Sequence, residues 1–234
     1  MNGTHLSNRL QTVADFVKPG ARLADIGSDH AYLPVHLAKQ GVIKTAIAGE
    51  VVKGPYHNAV SEIDGEQLTD VITARLADGL AAIQPDDQID TIVIAGMGGT
   101  LITNILESGK AHLTHHERLI LQPNVGEDHV RRWLQDNHYQ IVAERILAED
   151  GHIYEIIVAD PAEHAVKYSV AELKFGPFLL QEKNPVLTTK WRSEQARLQQ
   201  VIQTMKQAKN APEAKIQEFE RECQQIQEVI LDED

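Results

Sequence analysis

Residues 23–34 read LADIGSDHAYLP. The stretch begins as a glycine turn after an apolar strand, then sets Asp29 and His30 where a nucleotide-binding turn would carry its second glycine. Other acids and glycines recur at the ends of apolar runs. Asp25 can accept from a turn amide or a ligand ammonium, or simply cap the turn, and Gly27 lets the backbone approach a ligand. Glu50 lies 23 residues after Gly27, close to the ~20-residue offset at which an acid grips ribose hydroxyls; the alternative is a solvated strand-end glutamate. Asp78-Gly79 offers a carboxylate for an exocyclic amine, or only a turn. Singly these are weak signals. Four acids or glycines in register at four successive strand ends, Gly96 at the fourth, make a much stronger signal of a ligand site.

The elements that must hold them are short apolar runs: RLADIG 22–27, TAIAGE 45–50, VITARLADG 71–79, TIVIAG 91–96 and RLILQPN 118–124. Helix-period segments fill most of the gaps, with Leu33, His36, Leu37 and Gln40 in one series and Leu101, Ile105 and Leu106 in another. Strand alternating with helix predicts a parallel sheet covered on both faces. YQIVAERILAEDG 139–151 and HIYEIIVADP 152–161 are separated only by Glu149, Asp150 and Gly151, too little for a parallel crossover, so they must pair as an antiparallel hairpin. The fold class expected is therefore α/β, a Rossmann-like sheet with an antiparallel last strand, resembling class I methyltransferases. NAD and S-adenosylmethionine both carry adenosine. Pyrophosphate separates them: Asp29 stands where two phosphates would need a bare helix N-terminus, and like charges repel strongly in a partly dry site. A sulfonium and an ammonium are instead attracted, so S-adenosylmethionine is the expected cofactor.

The fourth strand ends in Ala95-Gly96-Met97-Gly98-Gly99, which offers only main-chain groups and access for something flat. Enzymes that methylate exocyclic amines carry [DN]-P-P-aromatic there, because the amino protons need acceptors. A ring nitrogen such as adenine N1 already has an in-plane lone pair and needs no base. Positive charge develops on the ring instead, and Asp29 is the expected carboxylate to offset it, the catalytic candidate. His30 can stack on a base, hydrogen-bond one or cap a helix; Tyr32 and Met97 are flat contacts or core.

The chain has 234 residues, net charge −12 and pI near 5.3, so a nucleic-acid partner must meet a local basic surface. One cysteine, Cys223, and eleven histidines without ligand spacing exclude a disulfide and predict no metal. No signal peptide or membrane span is read, and a reducing cytoplasm is expected. After Pro161 the composition shifts. KFGPFLLQEKNPV 174–186 reads as an irregular bridge with apolar contacts at Phe175, Phe178 and Leu179. Two helices at coiled-coil spacing follow: Leu187, Trp191, Leu198, Val201, Met205 and Ala208 with a polar miss at Glu194, then Ile216, Phe219, Cys223, Ile226 and Ile230. Asn210-Ala211-Pro212 breaks them, with Pro212 at the first helical position. Residues 165–210 carry eight Lys or Arg against three Glu, and residues 211–234 two basic against eight acidic. The first arm is thus the extended basic surface that can track phosphates, unless the two arms neutralise each other.

LSNRLQTVADFV, ADIGSDHAYLP, AGEVVKGPYHNA, ADGLAAI, IAGMGG, LQPN and EDGHIYEI, in order through about residues 6–160, resemble the bacterial tRNA (adenine-N1)-methyltransferase family that modifies nucleotide 22 of the tRNA D-arm. The resemblance implies a methyltransferase domain at 1–162, a helical coiled-coil hairpin domain at 163–234, S-adenosylmethionine as donor and tRNA as acceptor and partner. Carried over by position, it implies cofactor contacts at Asp25, Gly27, Ser28, Asp29, His30, Glu50, Asp78, Gly79, Ala95, Gly96 and Met97. Substrate contacts are expected at Arg9, His30, Tyr32, Gly98 and Asn124, and on the basic arm at Lys190, Arg192 and Arg197. The sequence leaves the oligomeric state open, with a monomer favoured. A small-molecule methyltransferase and a non-catalytic cofactor-binding adaptor are the competing functions.

Overall fold

The computed structural model describes residues 5–208 and 211–231. Ser7 caps α1 (Asn8–Ala14), and β1 (Ala21–Ile26), α2 (Tyr32–Lys39), β2 (Ile43–Glu50), α3 (Lys53–Gly65) and β3 (Ile72–Leu76) follow. Next come β4 (Thr91–Met97), α4 (Gly99–Ser108), β5 (Arg118–Pro123), α5 (Glu127–Asp136), β6 (Tyr139–Glu149) and β7 (His152–Pro161). The strands form one sheet in the order β3-β2-β1-β4-β5-β7-β6. β1 to β5 run parallel, and β7 pairs antiparallel with both β5 and β6. Strand order reverses between β1 and β4, which places the ligand crevice at their carboxyl ends. The hairpin closes Glu149 on His152 through Asp150 and Gly151, both at positive φ (50° and 76°). That is the two-residue turn whose backbone matches strand twist.

Two apolar layers sandwich the sheet. Ile92, Ile94, Leu119 and Leu121 face Ile102, Leu106, Val130 and Leu134 on one side; Leu23, Val93, Ile120 and Val158 face Val13, Leu33, Leu37 and Ile63 on the other. The buried face of α4 runs through Ile102 and Leu106 with Ile105 partly buried, so of the expected series only Leu101, half exposed, lies off the core, its place taken by Ile102.

The bridge expected to be irregular contains two short helices, α6 (Val170–Phe175) and α7 (Leu179–Glu182). The Ser169 hydroxyl accepts from the Glu172 N–H while the Glu172 carboxylate accepts from the Ser169 N–H, a reciprocal cap that starts a helix despite the nearby prolines. α8 (Pro185–Lys206) and α9 (Glu213–Leu231) then pack as a helical hairpin. Leu187, Trp191, Leu198 and Ile202 are its buried positions on α8 and Ile216, Ile226 and Ile230 on α9. Ile202 takes the place expected of Val201, Ala208 is exposed, and α9 starts one residue after Pro212. The expected break at Asn210 and the charge of Lys209 lie outside the described residues.

The hairpin is bolted to the sheet by buried charge. Arg131 of α5, fully buried, donates through Nε to Glu144 of β6 (2.7 Å) and through Nη2 to Glu155 of β7 (2.5 Å). Lys190 of α8 donates to Glu155 (2.7 Å) and to Glu127 (2.5 Å) at the start of α5. Burial pushes both β-strand carboxyls up. At Glu155 the two cations overcome it and hold the group below its usual range, whereas at Glu144, with Arg131 alone, burial wins.

Candidate active site

At the end of β1 the chain turns through Gly27 (φ 73°), whose place a Cβ would fill against Met97 Cε. Gly27 and Ser28 both donate their N–H to the Gly49 carbonyl (2.9 and 3.3 Å), and the Asp29 N–H donates to Glu50 Oε1. The Ser28 hydroxyl donates to Asp25 Oδ2 (2.5 Å). Asp29 and Ala31 hold left-handed backbone (φ 56° and 55°) without being glycine, the kind of strain that surrounding structure maintains at functional turns. The Asp29 carboxylate is 72% exposed and lies 3.8 Å from His30 Nε2. The His30 ring stacks on Tyr32, 5.0 Å between centroids and 6° from parallel. Thus Asp25, Gly27, Ser28, Asp29, His30, Tyr32 and Glu50 form one cluster.

Burial raises Asp25 to about 7, with the Ser28 hydrogen bond opposing and the Glu50 charge adding to the rise. Burial also raises Glu50, against the Asp29 amide bond. Among the described residues neither carboxylate has a lysine or arginine ion pair. A buried acid pair of this kind fits a ligand that brings its own positive charge. Asp78 is exposed at the end of β3, before a turn of 3-10 helix at Gly79–Ala82. Asp78, Gly79, Leu101 and Ile105 line a cleft of about 420 Å³, and Val51, Leu76 and Leu101 stand exposed around these strand ends. An apolar rim with one carboxylate fits an aminopurine.

The acceptor side is built between β4 and β5. A Cβ on Gly99 would collide with the Gly126 carbonyl, so only glycine lets α4 meet this loop, and the Gly99 N–H donates to the Val125 carbonyl (2.7 Å). The Asn124 N–H donates to the Met97 carbonyl (2.7 Å) and its Nδ2 to the Gly96 carbonyl (2.9 Å). Arg9 joins them: its Nη1 donates to Gln122 Oε1 (2.6 Å), and its guanidinium lies over Tyr154 (5.4 Å to the centroid). Glu149 holds the start of α1 by accepting from the Asn8 and Arg9 amides (2.6 and 3.1 Å). So Arg9, Ala95, Gly96, Met97, Gly98 and Asn124 share one wall. Gln122, Tyr154 and Glu149 belong to it and escaped the sequence reading; a glutamine inside the apolar run LILQP was the available signal.

The basic arm needs correction. Lys190 does not point at solvent: its side chain is 21% exposed and ion-paired to Glu127 and Glu155, because α8 meets an acid of α5 and a buried acid of β7 there. Arg192 is exposed, and Arg197 is exposed and paired to Glu194 at 2.5 Å. Arg197 lines, with Asn124, Arg132, His152 and Lys174, a cleft of about 810 Å³ between the acceptor loop and the hairpin.

A seven-stranded sheet of this order, with its antiparallel β7 and an acid-lined first turn, defines a class I S-adenosylmethionine-dependent methyltransferase. The chain belongs to the tRNA (adenine(22)-N(1))-methyltransferase family, whose model matches residues 23–228. It is 42% identical over 236 residues to the Bacillus subtilis tRNA (adenine(22)-N(1))-methyltransferase, covering 98% of this chain and 99% of that protein. A Streptococcus pneumoniae structure in complex with S-adenosyl-L-methionine superposes with TM-score 0.89 at 47% identity, over 97% of this chain and 100% of that one. The Mycoplasma capricolum structure with S-adenosyl-homocysteine gives TM-score 0.86 at 27% identity, over 96% and 97%.

Proposed function

We infer that this chain methylates N1 of adenine 22 in tRNA. The observation that carries the reading is the pair Asp25 and Glu50, buried without a cation directly beside an acceptor wall of main-chain groups. Asp25 and the Ser28 turn would hold the donor's ammonium, Glu50 its ribose hydroxyls, and Asp78 its adenine amine. When bound, S-adenosylmethionine supplies an electrophilic methyl group on a sulfonium. The wall at Gly96, Met97 and Gly98 receives a flat base and asks for no proton, which suits a ring nitrogen with a free lone pair. Asp29, exposed at the apex of the turn, offsets the positive charge that the ring acquires, and the His30–Tyr32 stack offers a platform for the base. N1 lies on the Watson–Crick edge, so the nucleotide must be unpaired when it enters.

The cleft between Asn124 and the hairpin is the proposed RNA path, with Arg132 and Arg197 near phosphates and Arg192 on the same arm, while Lys174 is paired to Glu222; binding there weakens as salt rises. The catalytic unit at 1–162 and the hairpin at 163–234 are proposed as a division of labour between chemistry and RNA. Among the described residues no helix is long and apolar enough to cross a membrane; an enzyme whose acceptor is tRNA is placed in the cytoplasm on this reading. No observation favours a small-molecule acceptor or an adaptor role. The test is incubation of labelled methyl donor with unmodified tRNA: incorporation with a reverse-transcription stop at nucleotide 22 supports the reading, and no incorporation into any tRNA overturns it.

A further inference from the structure

The side chain of Gln122 is fully buried at the end of β5, and all its partners are fixed by type. Its Oε1 accepts from Arg9 Nη1 (2.6 Å) and from the Gly96 N–H (3.0 Å), groups that can only donate. Its Nε2 donates to the Pro123 carbonyl and to Asn124 Oδ1, each at 3.0 Å. The amide therefore has one orientation, and it imposes one on Asn124. Asn124 Oδ1 must accept from Gln122, and its Nδ2 donates to the Gly96 carbonyl (2.9 Å), an acceptor that confirms the assignment independently. An amide carries two N–H groups and two lone pairs on its oxygen. One of each is satisfied inside the wall, and Asn124 is exposed, so one N–H and one lone pair remain for a visitor.

We propose that Asn124, oriented by Gln122 and Arg9, reads the N6/N7 edge of the target adenine and thereby leaves N1 free for methylation. The proposal rests on the reading above that adenine N1 is the acceptor. An asparagine amide pairs bidentately with adenine by accepting from N6 and donating to N7. Pairing with the N6/N1 edge would have the same chemistry but would occupy the lone pair that must attack. Guanine presents two acceptors, O6 and N7, to the same amide and meets the Asn124 oxygen unfavourably. Gln122 acts here as a positioning residue: it touches no substrate and sets which atom of Asn124 faces which atom of the base.

The experiment compares tRNA carrying adenosine at position 22 with the same tRNA carrying 7-deazaadenosine, which replaces N7 by C–H and leaves N1 intact. For the unaltered protein, kcat/KM is expected to fall about tenfold to hundredfold with the deaza base. Asn124→Ala is expected to lose a similar factor on adenosine, to show no further loss on the deaza base, and to bind S-adenosylmethionine in calorimetry as before. Gln122→Leu should flatten the same discrimination; because Asn124 is exposed, Asn124→Ala keeps the test sound should the buried Gln122 variant fail to fold. Equal rates on the two tRNAs, or discrimination surviving in Asn124→Ala, overturn the edge assignment while methylation of adenosine 22 still stands. Failure to methylate the adenosine tRNA removes the acceptor assignment and this proposal together.

Discussion

Carboxylates are buried at three places among the described residues; Glu117 is satisfied locally by the Thr114 amide and hydroxyl and the His116 amide, and the other two places, each with a pair of acids, are resolved in opposite ways. Where the hairpin meets the sheet, Glu144 and Glu155 are answered from within by Arg131 and Lys190. At the switch point of the sheet, Asp25 and Glu50 are answered by a hydroxyl and an amide alone. The first arrangement is closed and structural. The second is one positive charge short, and burial leaves Asp25 at about 7 as a result. Compensation thus separates the two acid pairs, although burial alone would rank them together, and it is the uncompensated pair that we propose meets a ligand.

Arg131→Met is the most damaging way to break the closed site: stranding two buried carboxylates should cost about 3–5 kcal/mol in urea unfolding. Replacing Arg131, Glu144 and Glu155 together by apolar residues should recover most of that loss, and if it does not, the charges do more than neutralise one another. In the open site Asp25→Asn should do the reverse, weakening S-adenosylmethionine binding in calorimetry by about tenfold to hundredfold, the worth of a charged hydrogen bond, without lowering the thermal midpoint of the protein alone. An unfolded Asp25→Asn protein would erase the contrast. Asp29→Asn should keep cofactor affinity and slow single-turnover methyl transfer by about tenfold, less than a buried electrostatic group because its carboxylate is exposed; unchanged turnover removes its role.

The pH dependence sharpens the comparison further. A cation favours ionised Asp25, so below a pKa of about 7 binding must expel a proton. Affinity should then fall about tenfold from pH 8 to pH 6, with proton release seen in buffers of different ionisation heat. The sign for the empty protein is opposite: its folded pKa lies above the ordinary aspartate value of 3.8, so this group favours folding less as pH rises from about 4 to about 7. Constant affinity across the range would mean that Asp25 is not the group that meets the charge. The smallest effect is reserved for an exposed pair: Lys206→Ala, which parts it from Glu220 (2.7 Å, both sides about half exposed), should change stability by less than about 1 kcal/mol.

Most of the sheet was legible because period and punctuation agree. The apolar runs end at Gly27, Glu50 and Gly96, and Asp150-Gly151 forces a hairpin whatever surrounds it. The cluster proposed to hold the cofactor was legible for the same reason, since its members stand at or just after strand ends. Pairings distant in sequence were not. Lys190 reads as one of a row of basic residues, and only the meeting of α8 with α5 and β7 turns it inward. Gln122 and Tyr154 gain meaning only when Arg9, more than a hundred residues earlier, folds over them. α6 was hidden by the glycine and prolines beside it, although Ser169 and Glu172 spell its cap, and the slip from Leu101 to Ile102 reflects an apolar residue left at the rim of a cleft instead of in the core.

The ties between Glu149 and the amides of Asn8 and Arg9 span 141 and 140 positions of the chain. During synthesis the first helix leaves the ribosome long before its carboxylate partner exists, by on the order of ten seconds at ordinary elongation rates. Until the β-hairpin tip has emerged, Arg9 can meet Gln122 but the helix that carries it lacks its tie to the sheet. A nascent chain can therefore acquire its early strands well before the wall proposed to read the base is complete, because the tie that fixes its first helix comes only with the last strands of the sheet.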